Sequence, residues 1–150
     1  MLKCGTYYSA FRARGTFFDL KGRIWAQTTA EERWAMGQYR AESHNKIFQH
    51  KASFEENKQI LQEFVSFLYA HDVLPVVVIT PFTPEYNRFV LPEMKESVLE
   101  LVDSVQEDVH YVDFNQDSSL FDLEDFMDTD HLSAKGAEKV SGMLVEMFVE

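Results

Sequence analysis

Three observations predict an α/β domain built on a parallel sheet. The segment Leu74-Pro75-Val76-Val77-Val78-Ile79-Thr80 is β-branched and lacks polar alternation, the pattern of a strand covered on both faces. Helical patterns flank it and a shorter apolar run, Val109 to Phe114, follows, so the order reads helix, strand, helix, strand, helix. That order belongs to α/β proteins, whose crossovers are right-handed and whose sites lie beyond the carboxyl ends of the strands. Finally, 150 residues at 45% hydrophobic and 14% aromatic are enough for one buried core, so a single domain over 1–150 is expected.

The first 28 residues interleave Gly5, Gly15 and Gly22 with aromatic side chains and read as short extended pieces, with a hairpin of Phe17 to Leu20 and Arg23 to Ala26 around Lys21-Gly22. Residues 1–50 as a whole are the poorly defined part. From Ala30 to Gln49 the composition is helical but carries no clean apolar stripe, which predicts an interrupted helix. Ser53-Phe54-Glu55-Glu56 has the form of a capping box, and Ile60, Leu61, Phe64, Val65 and Leu68 follow at helical spacing, predicting a helix from Phe54 to Ala70. Pro81-Phe82-Thr83-Pro84 ends the first strand. Pro92 suits the first turn of another helix, with Met94, Val98, Leu101, Val102 and Val105 on one side. Ser133 is placed to cap a final helix carrying Ala137, Val140, Leu144, Met147 and Phe148. Trp25, Trp34 and the phenylalanines are assigned to the core, because aromatic side chains supply large buried area.

Charge excludes one class of partner. Fourteen basic and 25 acidic side chains leave −11 with histidine neutral, and no basic stretch follows a phosphate backbone, so nucleic acid is not expected. No run approaches about eighteen apolar residues and Met1-Leu2-Lys3-Cys4 has no apolar h-region, so neither a membrane span nor a signal peptide is predicted and the chain reads as soluble. A lone Cys4 makes no internal disulfide.

Two loops lie beyond the strand ends, Pro81 to Leu91 and Asn115 to Leu132. In the second, Asp128 precedes His131 by three residues at the mouth of a helix. A carboxylate so placed can accept the Nδ1 proton, set the tautomer and leave Nε2 outward as a base. The competing reading is structural: Asp128 or Asp130 caps the last helix and His131 is a surface residue. Asp122, Glu124, Asp125, Asp128 and Asp130 read as a solvated acidic face rather than a calcium loop, since Ser133 stands where that loop needs glycine. The scattered histidines do not make a zinc site. No metal and no cofactor are expected. The acidic residues beside His131 favour its imidazolium and disfavour anionic ligands. His71 suits a helix C-terminus, and Tyr86 and Phe89 offer an apolar wall to a ligand.

Asp128-Thr129-Asp130-His131-Leu132-Ser133-Ala134-Lys135-Gly136-Ala137 resembles the C-terminal Asp-x-x-His block of SGNH (GDSL-type) esterases and acyltransferases, and within them the teichoic-acid D-alanine transfer branch. Phe54 to Ala70 and Leu74 to Phe82 are similar to that branch's helix, valine-rich strand and proline-bearing loop, so the resemblance covers residues 54 to 150. It implies a three-layer α/β/α fold of flavodoxin-like type, His131 as general base, Asp128 as its partner, and Pro81, Tyr86 and Asn87 on the substrate side. It also implies an acyl-ester substrate or acyl carrier, and association of a full-length form with the cell envelope. The family's serine, in a Gly-Asp-Ser-like block after the first strand, has no counterpart here; Ser9 follows no apolar strand, and Asn45, Asn57 and Asn87 are loose matches to the family's oxyanion donor. The chain is therefore expected to be the C-terminal portion of such an enzyme, inactive alone, with an incomplete parallel sheet. The alternative is a non-catalytic binding or assembly module. An unpaired edge beside Leu74 to Thr80 predicts homo-oligomers or coverage by N-terminal residues.

Overall fold

A computed structural model describes residues 25–47, 51–105 and 108–148. Most of the expected hairpin and Ser9 lie outside the described residues. The part that is described, Trp25–Gln27, is a 3-10 turn instead of a strand: Thr28 donates from both its backbone N–H and its hydroxyl to the carbonyl of Trp25, at 3.0 and 2.6 Å. Two donors on one carbonyl close the chain into a turn.

Helix α1 (Ala30–Ile47) runs without interruption, contrary to the irregular stretch expected from its missing apolar stripe. Its N-terminus is closed reciprocally, Glu32 N–H donating to Thr29 Oγ1 at 3.2 Å and Thr29 N–H to Glu32 Oε2 at 2.8 Å. Its buried positions are Met36, Gly37 and Ala41, and half-buried Arg33, Arg40 and His44 recur beside them at helical spacing. Gly37 has a packing reason: a Cβ there would lie 2.5 Å from the carbonyl carbon and oxygen of Glu85.

Helix α2 (Lys51–Tyr69) begins ahead of Ser53, so the expected capping box is an interior turn; Lys51 and Ala52 are good helix formers and extend the helix backwards. His71 Nδ1 meets the Phe67 carbonyl at 2.8 Å at the other end, as the helix-end reading requires.

Strands β1 (Val76–Ile79) and β2 (His110–Asp113) pair in parallel, from Val76 opposite His110 to Ile79 opposite Asp113. Among the described residues they form a two-stranded sheet. The fold class is thus mixed α/β, mostly helical, with one open parallel sheet. All residues of β1 are only half-buried, so the strand is not enclosed on both faces as its composition predicts.

Between the strands lie α3 (Pro84–Asn87), a single turn not anticipated from the Pro-rich sequence, and α4 (Pro92–Asp103) with Pro92 at its start. Thr83 caps α3, its hydroxyl oxygen accepting from the Tyr86 N–H at 3.4 Å. After β2, 3-10 turns at Ser118–Leu120 and Leu123–Asp125 lead to α5 (Ala134–Phe148). Ser133 caps α5 as expected, accepting from the Gly136 N–H at 3.2 Å. Trp25, Met36 and Phe126 form the buried cluster, with Phe121 and Leu132 against it. Trp25 is in the core as expected, but Trp34 is 43% exposed and Phe64 and Phe67 are 56% exposed, so the core assignment does not hold for these three. Among the described residues no helix is long and apolar enough to cross a membrane.

Candidate functional site

The turn Asp128–His131 is built by one carboxylate. Asp128 Oδ1 accepts the backbone N–H groups of Asp130 at 3.0 Å and His131 at 2.9 Å, and the His131 ring reaches back with Nδ1 2.9 and 3.0 Å from the two Asp128 oxygens. An ionised carboxylate only accepts, so Nδ1 carries a proton, and in the neutral form of the ring Nε2 has the lone pair. Nε2 has no hydrogen-bond partner among the described residues, and the side chain is 52% exposed. The two residues singled out from spacing are therefore brought together. The turn is braced on both sides, by the Phe126 to Leu132 bridge with Met127 N–H donating to the His131 carbonyl at 2.9 Å, and by Thr83, whose N–H and hydroxyl both donate to the Thr129 carbonyl.

Electrostatics follow from these contacts. The hydrogen bond to Asp128 raises the His131 pKa above its ordinary value, against the opposing effect of partial burial, with Asp128 and Asp130 charges adding to the rise. For Asp128, burial favours the neutral acid but is outweighed by the His131 ring and the two backbone N–H groups, so its pKa is lowered.

Helix α1 supplies residues that sequence reasoning missed. Arg40 holds Asp130 in a two-pronged pair, Nε to Oδ1 at 3.0 Å and Nη2 to Oδ2 at 3.1 Å, and Thr129 Oγ1 donates to Asp130 Oδ1 at 2.7 Å. One turn further along α1, His44 Nδ1 lies 2.7 Å from the Tyr86 hydroxyl. Burial and then the Arg40 charge lower the His44 pKa, while burial and Asp130 push Tyr86 up to about 12. Both shifts favour the uncharged forms, imidazole beside phenol. The recurrence of Arg33, Arg40 and His44 on a helix without an apolar stripe was the signal available for this face. Arg33 completes it by pairing with the buried Glu85 at 3.1 Å.

Of the residues assigned to the substrate side, Tyr86 and Asn87 line a cleft of about 230 Å3 between the sheet, α3 and α4. Pro81 lines a smaller neighbouring hollow with Phe114 and Phe126. His131 lines neither. Of the loose asparagine candidates, Asn45 is structural, clamping the Phe89 carbonyl and the Leu91 N–H, and Asn57 faces solvent.

Asp128, Asp130 and His131 offer three atoms within 4.8 Å of one another, the geometry of a possible metal group. The two carboxylates are already engaged, Asp130 by Arg40 and Asp128 by His131 and the backbone. A cation would have to displace the guanidinium, which disfavours that use. Comparison with protein-family models, curated proteins and solved structures finds no match.

Proposed function

We propose that the Asp128–His131 turn is the base half of a serine-dependent acyl-transfer site, in the C-terminal portion of an SGNH-type esterase or acyltransferase with a three-layer α/β/α arrangement. One observation carries the reading: the Asp128 carboxylate grips the Nδ1 side of His131 and leaves Nε2 free. In such a site Nε2 takes the proton of a serine hydroxyl as its oxygen attacks the carbonyl of an acyl ester, and returns it to the departing group. Asp128 stays ionised and stabilises the imidazolium. The serine and the oxyanion donors are not identified in this chain, so the reading has them supplied by sequence preceding it, and has the chain inactive without them. A cell-envelope polymer is the acceptor that the family resemblance suggests.

Against p-nitrophenyl acetate or an acyl thioester, the 150-residue chain is expected to match its His131→Ala variant. A chain extended by in-frame upstream sequence bearing a Gly-Asp-Ser block is expected to turn over both, losing roughly 10³-fold or more in His131→Ala. A His131-dependent rate in the short chain overturns the missing nucleophile and brings back Ser9. No dependence on His131 in the extended chain overturns the whole reading. A binding or assembly module on the same fold is the second reading, favoured by a cleft that His131 does not line.

A further inference from the structure

Two carboxylates stand within reach of the His131 ring, and only one holds it. Nδ1 lies 2.9 and 3.0 Å from the Asp128 oxygens but 3.9 Å from Oδ2 of Asp130. Asp128 Oδ1 is already loaded, because it also accepts the backbone N–H groups of Asp130 and His131. What keeps Asp130 from competing for the ring is Arg40. The guanidinium lies along the edge of that carboxylate, Nε 3.0 Å from Oδ1 and 3.2 Å from Oδ2, with Nη2 3.1 Å from Oδ2. Oδ1 has a further donor in the Thr129 hydroxyl, whereas both hydrogen bonds to Oδ2 come from Arg40.

Without the guanidinium, Oδ2 of Asp130 belongs to a side chain only 9% exposed, with an N–H 3.9 Å away on the imidazole. An ionised oxygen so placed is costly until it finds a donor, and a turn of the His131 ring supplies one. The ring then divides between two acceptors, and Nε2 no longer has a single direction. Arg40 stands on α1, ahead of the segment that carries the family resemblance. Its helix is seated independently of the His131 turn, by the close approach of Gly37 to the Glu85 backbone and by the Arg33–Glu85 ion pair. The guanidinium therefore reaches Asp130 from a fixed element rather than from the turn it steadies.

We infer that Arg40 is a positioning residue for His131: by occupying Asp130 it leaves Asp128 as the ring's one acceptor and so sets the direction of Nε2. Calling that ring a base rests on the acyl-transfer reading above; which carboxylate holds the ring does not, and the test needs no turnover. The charged and titratable groups around the ring are Asp128 and Asp130 on its own turn and Arg40 and His44 on α1. The test is the NMR titration of His131 in the 150-residue chain, in a cycle of Arg40→Met, Asp130→Asn and the double variant. Asp130→Asn is expected to lower the proton affinity of His131 at least about threefold more in the Arg40→Met background than with Arg40 intact, because only there does Asp130 hold the ring. Asp128→Asn is expected to show the reverse, a large fall with Arg40 intact and a smaller one beside Arg40→Met, where Asp130 takes over. Arg40→Lys keeps the charge and loses the fork, so it carries the same cycle, with the same signs, if Arg40→Met does not fold. Equal effects of Asp130→Asn with and without Arg40 would mean that Arg40 acts through its charge alone. Equal losses of proton affinity in all three variants of the cycle would mean that the Arg40–Asp130 pair only supports the turn. Either result overturns the proposal, whereas turnover or its absence in the extended chain bears on the acyl-transfer reading and leaves this cycle untouched.

Discussion

His131 and Asp128 set opposite ends of one pH window. The imidazole's folded pKa is raised, so its contribution to stability is fully present below about 6.5 and is lost as pH climbs through the folded value. The carboxyl's folded pKa is lowered, so its contribution is present above about 3.8 and is lost as pH falls through the folded value. Between those limits the pair is fully formed. Titration of the His131 ring by NMR is expected to give a pKa above 6.5 that drops in Asp128→Asn; a native value below 6.5 would contradict the geometry. The same shift moves the alkaline-rising limb of any His131-dependent rate above pH 6.5. Arg40 has a different task. With Asp130 only 9% exposed, Arg40→Ala leaves a carboxylate with Thr129 and its own turn for support, and a loss of about 1–3 kcal/mol is expected in urea unfolding. An unchanged midpoint would mean that solvent replaces the guanidinium without cost.

At the scale of elements, close backbone approach holds the site together. Gly37 lets α1 touch the backbone of α3 at Glu85, and Gly136 lets α5 sit against the Asp125 carbonyl, next to the buried Asp125 carboxylate that Lys139 meets at 3.0 Å. For Asp125, burial works against the charged form but is outweighed by the Asp122 N–H and Lys139, which keep its pKa low. Gly37→Ala and Gly136→Ala are each expected to cost about 1–3 kcal/mol by forcing these elements apart. Gly142, on the same helix α5, meets nothing within 4 Å, so Gly142→Ala is expected to add about 0.5–1 kcal/mol. Urea midpoints of the three variants distinguish the explanations: stabilisation in all three would show that helix propensity outweighs packing.

For the whole molecule, net charge and exposed apolar surface act in opposition. Ile60, Phe64 and Phe67 share one side of α2 and are each 56% exposed, while a net charge of −11 makes copies repel one another at neutral pH. Light scattering is expected to show association growing as pH falls toward 4.8, where net charge vanishes, and to show much less of it in Phe64→Asp. Association unaffected by Phe64→Asp would place the contact elsewhere, with the open sheet edge beside β1 the next surface to examine.

Legibility differed by element for physical reasons. Local signals worked where the cause is local: the β-branched run at Val76, Pro92 opening α4, Ser133 capping α5, and an aspartate three residues before a histidine. They misled where packing overrides them. Ser53-x-x-Glu56 is overridden by two good helix formers upstream, and α1 forms in full because its polar side chains are satisfied by partners 42 to 90 positions away, from Tyr86 for His44 to Asp130 for Arg40. By itself the sequence determined the α/β class, the order of the elements and the pairing of Asp128 with His131, since each depends on residues within a few positions of one another. Only the tertiary structure decided that Arg40 and His44 stand beside that pair, that Tyr86 joins it to an apolar cleft, and that Trp34 and Phe64 stay near the surface. Those facts depend on which elements are brought together, and no spacing along the chain encodes a contact between distant helices.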